Sequence, residues 1–98
     1  MKNILFILSS IVSFSSFGQT AQEYIYSGNE KAKTNDYYGA ISDYTKAIEL
    51  YANYGKAYKN RSIAKKNLGD LNGACKDWEK AAELGDTDTA EWVANQCN

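Results

Sequence analysis

The apolar residues of this chain recur at helical spacing in several separate segments. In the clearest one, Ala40, Ile41, Tyr44, Ala47 and Ile48 follow the spacing i, i+1, i+4, i+7 and i+8. This spacing places all five on one face of an α-helix. The pattern along the chain predicts an all-α fold, with helices over residues 21–34, 37–50, 55–67, 71–83 and 87–96.

Residues at the ends of these segments predict where the helices begin and end. Asp36 and Asp70 each precede a helical run, where a side-chain carboxylate can accept hydrogen bonds from free N–H groups. The fourth helix is predicted to end at Gly85, because glycine is favoured just after a helix. The fifth helix is predicted to begin at Asp86 or at Asp88, which opens a sequence resembling a capping box.

The sequence contains an internal repeat, with a period of about 34 residues. Aligning residues 21–54 with residues 55–88 gives ten identical pairs, whereas roughly two or three are expected by chance for such a composition. A third unit opens at Thr89, with Trp92 where the other two units carry tyrosine. The identical pairs are Tyr24/Tyr58, Lys31/Lys65, Asp36/Asp70, Gly39/Gly73, Ala40/Ala74, Asp43/Asp77, Lys46/Lys80, Ala47/Ala81, Glu49/Glu83 and Leu50/Leu84.

This repeat resembles the tetratricopeptide repeat over essentially all of residues 21–98. Each unit has an aromatic and a small residue in its first helix, then Ala-x-x-x-aromatic-x-x-Ala in its second. Two features depart from the family pattern: the usual proline after the second helix is absent, and Arg61 replaces a usual leucine. Residues 80–86 are also similar to the related Sel-like repeat, but the regular spacing of the two units favours the tetratricopeptide repeat.

The resemblance implies a short right-handed helical-repeat solenoid. Its parts are a hairpin over residues 21–54, a second hairpin over 55–88 and a C-terminal capping helix over 87–96. In such a fold, small residues at the helix contacts let paired helices approach closely. The small residues at these positions are Gly28, Ser62, Ala40, Ala74, Ala47 and Ala81.

The segment over residues 1–18 has the pattern of a secretory signal peptide. Lys2 precedes an apolar stretch over residues 4–14, and small residues end at Gly18. The stretch is short and interrupted by serines, so stable membrane insertion is not expected after its removal. We expect a domain over residues 19–98 that is exported, either periplasmic or secreted. The alternative is a buried or amphipathic N-terminal helix.

Composition argues against an enzyme and against a nucleic-acid-binding protein. Removing residues 1–18 changes the formal net charge from −1 to −2, since only Lys2 is charged there. The chain has no His, two Cys and no glycine-rich phosphate loop, so no catalytic pair, cofactor site or metal site is predicted. Carboxylates such as Glu49, Glu79 and Glu83 are interpreted as solvent-exposed surface charges.

The resemblance implies a binding surface on the inner face, which the first helix of each unit lines in this family. Asn29 and Asn60 match two asparagines of the family's carboxylate clamp, but Ile25 replaces its first lysine. We therefore expect a generic basic groove, with four lysines and no acid, for a protein or an acidic peptide. The residues assigned to this face are Ile25, Tyr26, Asn29, Lys33, Lys56, Lys59, Asn60, Ile63, Lys66 and Asn67.

Two other interpretations of these features stay open. The lysines can be incidental charges on a solvated helix face. The chain can also be a structural subunit that forms a homo-oligomer by stacking through its open repeat ends, because fewer than three repeats rarely suffice for stability.

The two cysteines are predicted to form a disulfide. Helices 71–83 and 87–96 should form an antiparallel hairpin that turns near Asp86. Cys75 and Cys97 each lie eleven residues from this turn, which puts them at the same height on neighbouring helices. An oxidising compartment would allow the bond. The alternative is a reduced pair that acts as small apolar residues.

Overall fold

The computed structural model describes residues 21–97, which form five helices in sequence. The predicted helix bounds are confirmed to within one residue, and the predicted signal peptide lies outside the described residues. The helices are α1 over residues 21–33, α2 over Tyr37–Leu50, α3 over Gly55–Asn67, α4 over Leu71–Glu83 and α5 over Thr87–Gln96.

The predicted caps of α2 and α4 are confirmed. Asp36 accepts a hydrogen bond from the backbone N–H of Gly39 at 3.0 Å, and Asp70 accepts one from that of Gly73 at 2.9 Å. The residue before each cap adopts a positive φ, 66° at Asn35 and 86° at Gly69. Both hairpins therefore turn in the same way, one repeat length apart.

The fifth helix begins one residue after Asp86. The Asp86 side chain accepts a hydrogen bond from the Thr89 N–H at 2.9 Å, so the alternative start at Asp88 is wrong. The chain reverses at Gly85, where φ is 105°, and Asp86 is the first residue beyond this turn. Asp88 instead lies in the first turn of α5, where a negative charge suits the helix dipole.

Helices α1 and α2 approach closely because Gly28 has no side chain. A Cβ atom built on Gly28 would lie 2.6 Å from Cε1 of Tyr44, well inside van der Waals contact. Ala40 and Ala47 are fully buried on the same face of α2. The aromatic ring thus fills the space that the small residues leave open.

Each helix packs against the next one along the chain. Helix α3 packs against both α2 and α4, and α5 packs against α4. Cys75 of α4 and Cys97, the C-cap of α5, form a disulfide with a Cα–Cα distance of 5.8 Å. None of the described helices is long and apolar enough to cross a membrane.

Candidate functional site

Two adjoining cavities follow the face formed by α1, α3 and α5. The first, here called the asparagine pocket, has a volume of about 340 Å³ and lies among α1, α2 and α3. Its polar side chains come from all three of these helices. The lining residues are Asn29, Ala32, Lys33, Tyr37, Tyr44, Asn60, Ile63, Ala64 and Asn67.

The second cavity, here called the indole pocket, has a volume of about 650 Å³ and lies among α3, α4 and α5. Both tryptophans of the chain contribute to its walls. It shares Ile63 and Asn67 with the asparagine pocket, so the two cavities adjoin at these side chains, and the two together are here called the groove. The lining residues are Ile63, Lys66, Asn67, Trp78, Trp92 and Gln96.

Three polar side chains of the asparagine pocket are joined by hydrogen bonds. The Tyr44 hydroxyl donates to Oδ1 of Asn29 at 2.5 Å, and Nδ2 of Asn60 donates to the same oxygen at 3.2 Å. Burial raises the pKa of the Tyr44 hydroxyl, and the nearby Asp43 carboxylate raises it further. The two asparagines that match the clamp pattern therefore bind each other across α1 and α3.

Lys59 is neutralised by the start of α5. Its ammonium lies 3.1 Å from Oδ2 of Asp88 and 3.5 Å from Oδ2 of Asp86, and 5.3 Å from the centre of the Trp92 ring. The hydrogen bond with Asp88 raises the pKa of Lys59. The expectation of an inner face without acids is therefore wrong. That expectation concerned the first helix of each repeat, whereas both carboxylates come from the α4–α5 turn and α5.

The other predicted lysines differ in their surroundings. Lys33 forms an exposed ion pair with Glu30 at 3.5 Å. Lys66 forms no ion pair with another residue between 21 and 97, and its ammonium lies 5.8 Å from the centre of the Trp78 ring. Lys56 also has no ion pair within this range, and it lines a neighbouring cavity of about 470 Å³ together with Lys59 and Asn60.

Two other residues assigned to the inner face, Ile25 and Tyr26, do not line the two pockets. Ile25 is fully buried and belongs to the core between α1, α2 and α3, so its assignment to the binding surface is wrong. Its apolar side chain gains more from the core than from the solvent-facing side of the helix. Tyr26 is 61% exposed and lines neither pocket of the groove.

Two buried aspartates were missed when the carboxylates were interpreted as surface charges. Asp77 accepts two hydrogen bonds from Arg61, both at 2.8 Å, and pairs with Lys65 at 3.0 Å. The hydrogen bonds with Asp77 raise the pKa of Arg61. A third Arg61 nitrogen donates to Oγ1 of Thr45 at 3.1 Å, which links the second repeat to the first.

The equivalent aspartate of the first repeat is Asp43. It accepts a hydrogen bond from the Ser27 hydroxyl at 2.6 Å and pairs with Lys31 at 3.0 Å. Asp43 lies on the apolar stripe of α2, and the Asp and Lys of this pair both recur at the equivalent positions of the second repeat. An aspartate on an apolar stripe that recurs together with a lysine could therefore have predicted a buried ion pair. Within the part of the chain that the structure covers, no group of three or more potential metal ligands occurs.

Comparisons with known proteins agree with the repeat. The chain is 38% identical over 64 residues to tetratricopeptide repeat protein 36 homolog of Nematostella vectensis, covering 65% of this chain and 35% of that protein. It is 36% identical over 66 residues to tetratricopeptide repeat protein 36 of Xenopus tropicalis, covering 67% and 33% of the two chains.

A human protein shows a similar match over a shorter stretch. Small glutamine-rich tetratricopeptide repeat-containing protein beta is 44% identical over 52 residues, which cover 53% of this chain and 17% of that protein. The chain spans about a third of the length of the first two relatives. No family model matches the chain. The named relatives and the regular repeat period together support a tetratricopeptide repeat family.

Proposed function

We propose that this chain is a protein-interaction module that holds an extended segment of a partner protein in its groove. The observation that carries the proposal is that the asparagine and indole pockets lie side by side and share Ile63 and Asn67. Such a groove offers apolar walls and a few fixed polar groups, which is the arrangement that peptide-binding clefts use. The relatives named as tetratricopeptide repeat proteins support the same class of function.

The charges of the groove limit what the partner segment can carry. Lys33 and Lys59 already have carboxylates beside them. The lysines of this face without an ion pair between residues 21 and 97 are Lys56 and Lys66. A partner does not need to be acidic throughout its length. Shape and apolar contact along the shared wall at Ile63 are the main contributions to binding, and charge contributes locally.

The proposal can be tested with a random library of twelve-residue peptides selected on the immobilised protein. The variant Ile63→Asp introduces a charge where the two pockets meet. The matched control is Leu50→Asp, because Leu50 and Ile63 are both 43% exposed and Leu50 lines neither pocket. We expect selected peptides to bind Ile63→Asp at least about tenfold more weakly, the cost of losing roughly 1.4 kcal/mol.

Selected peptides should keep their affinity for Leu50→Asp. Fluorescence anisotropy of labelled peptides measures both variants, and circular dichroism verifies that both keep their helix content. Equal binding to Ile63→Asp and to the unsubstituted protein would place the binding surface outside the groove.

We also propose that the module works outside the cytoplasm. The pattern of residues 1–18 supports this proposal. Intact mass of protein recovered natively from cells should then correspond to a chain that begins at or near Gln19. A full-length chain in the cytoplasm would contradict export.

A further inference from the structure

The indole pocket is the repeat equivalent of the asparagine pocket, but its chemistry is different. A shift by one repeat relates Asn29 to Ile63, and Tyr44 to Trp78. In the first repeat the Tyr44 hydroxyl has its acceptor in Asn29. In the second repeat the corresponding position is Ile63, whose side chain has no hydrogen-bond acceptor.

The second repeat accordingly contains a hydrogen-bond donor that the protein itself does not use. The Nε1–H group of Trp78 is buried and has no hydrogen-bond partner in the described part of the chain. Buried donors normally have a partner, so such a group marks a place where the internal bonding is incomplete. The first repeat shows no such group at the equivalent position, because Asn29 fills this role.

The pocket also has a cation that is not neutralised by a neighbouring carboxylate. Lys66 is exposed, lies over the ring of Trp78 and has no carboxylate partner between residues 21 and 97. No acidic residue lines the pocket, and its other polar groups are the carboxamides of Asn67 and Gln96. Lys59, which lies over the second indole, differs because Asp86 and Asp88 neutralise it.

The remaining wall is apolar. Trp78 and Trp92 pack edge to face with ring centres 5.5 Å apart, and Ile63 is 43% exposed beside them. An apolar side chain that enters here removes apolar surface from water on both partners. A carboxylate next to that side chain would meet the exposed ammonium of Lys66, which lies over an aromatic ring.

We propose that the indole pocket selects an apolar side chain directly adjacent to an acidic residue in the partner segment. This inference rests on the proposed function, because it names the partner chemistry for one part of the same groove. It assigns the apolar contact to Ile63 and Trp92, since Trp78 is only 2% exposed, and the acidic contact to Lys66. The asparagine pocket, where the Tyr44 hydroxyl already has its acceptor in Asn29, makes no such selection.

The test uses four capped dipeptides as probes: N-acetyl-Leu-Glu-amide, and the corresponding Leu-Gln, Leu-Lys and Ser-Glu compounds. The chain has two tryptophans, so a nitrogen–proton correlation spectrum gives two indole N–H signals that report on this pocket. We expect the Leu-Glu probe to shift these signals, with an affinity roughly fivefold higher than that of the Leu-Gln probe. The Leu-Lys and Ser-Glu probes should bind more weakly than both.

Two lysine variants separate the pocket from the overall charge of the protein. Lys66→Gln should abolish the difference between the Leu-Glu and Leu-Gln probes. Lys56→Gln removes the same charge outside the indole pocket and should leave that difference unchanged. Equal affinity for the Leu-Glu and Leu-Lys probes, or indole signals that no leucine probe shifts, would overturn the inference.

The two proposals fail in different ways. Library peptides that depend on Ile63 while the dipeptides show no acidic preference would overturn the inference and leave the proposed function standing. Dipeptides that show the predicted preference, together with a library that yields no groove-binding peptide, would support the inference on the pocket and overturn the proposed function.

Discussion

The two repeats hold the same buried ion pair but complete it differently. In the first repeat the Asp43 carboxylate is joined by Lys31 and by the short, neutral Ser27. In the second repeat the equivalent Asp77 is joined by Lys65 and by Arg61, which takes the position of Ser27. Only the arginine is long enough to reach Thr45 of the preceding repeat as well.

This difference shows how one repeat can be attached to another without a larger apolar interface. The Arg61 guanidinium binds within its own hairpin and across the repeat boundary at the same time. Its planar group of several donors suits two partners, which a serine hydroxyl cannot match. Arg61 stands where the family usually has a leucine. The arginine thus replaces an apolar contact with hydrogen bonds, one of which connects the two repeats.

The largest expected effect comes from removing each aspartate in turn. Asp77→Ala leaves Arg61 largely buried without its carboxylate, which should lower the free energy of unfolding by about 3–5 kcal/mol. Asp43→Ala leaves a hydroxyl and a half-exposed lysine, and should cost about 1–3 kcal/mol. Urea unfolding followed by circular dichroism measures both.

A further variant keeps this comparison informative if Asp77→Ala does not fold. Arg61→Ser gives the second repeat the side chain of the first, while Lys65 still pairs with Asp77. We expect a measurable loss of stability that is smaller than the loss in Asp77→Ala, because no buried charge is left without a partner. Equal losses for Asp43→Ala and Asp77→Ala, or an Arg61→Ser variant as stable as the unsubstituted protein, would show that the arginine adds nothing to the second repeat.

The parts of the fold that sequence predicted depend on local signals. The repeat period, the helix bounds and the caps at Asp36 and Asp70 follow from spacing and from the residue types next to each helix. The burial of Asp43 and Asp77 was not predicted, because a charge within an apolar stripe is interpretable only once its partner on the neighbouring helix is known.

The binding face shows the same division between local and non-local information. The resemblance assigned one face to a set of residues that line the two pockets: Asn29, Lys33, Asn60, Ile63, Lys66 and Asn67. It could not indicate that Asn29 and Asn60 bind each other, nor that carboxylates from another helix neutralise Lys59. These contacts depend on distances between helices, which a sequence pattern does not contain.

The two hairpins also differ in the helix that packs against their C-terminal side, and the disulfide is part of this difference. The first hairpin packs against α3, whereas the second packs against the ten-residue α5, which Cys75 and Cys97 attach to α4. Breaking a loop closed over a separation of 22 residues should cost on the order of 3 kcal/mol. Thermal unfolding with and without reductant measures the loss.

The double variant Cys75→Ser, Cys97→Ser should behave like the reduced protein, and reductant should leave its unfolding temperature unchanged. Without the disulfide, we expect α5 to lose protection from amide hydrogen exchange before α1 and α2 do, since the bond attaches only the C-terminal end of the chain. Unchanged thermal stability after reduction, or two free thiols in natively recovered protein, would contradict a stabilising disulfide.

The smallest expected effect concerns position 25 of the first repeat and its equivalent, position 59. Ile25 is fully buried in the core, whereas Lys59 binds Asp86 and Asp88 at the start of α5. The Thr89 N–H, and to a lesser degree Lys59, lower the pKa of Asp86 below its usual 3.8. Asp86 therefore stabilises α5 above pH 3.8, and this contribution is lost as the pH falls through its folded-state pKa.

Lys59 has a raised pKa, so its contribution is complete below 10.5 and is lost only at higher pH. Acidification should thus release the start of α5 through Asp86, and the indole N–H signal of Trp92 should report it, because Lys59 lies over that ring.

Lys59→Met should reduce the shift of this signal between pH 7 and pH 2.5 but not abolish it, since the bond from Thr89 to Asp86 is also lost in acid. Because solvent still reaches 26% of the Lys59 side chain and 24% of the Asp86 side chain and screens the pair, its share should stay below about 1 kcal/mol. Lys33→Met, which removes an exposed pair with Glu30 instead, should leave the acid shift of Trp92 unchanged. The same acid shift in Lys59→Met as in the unsubstituted protein would mean that the lysine does not help to hold α5.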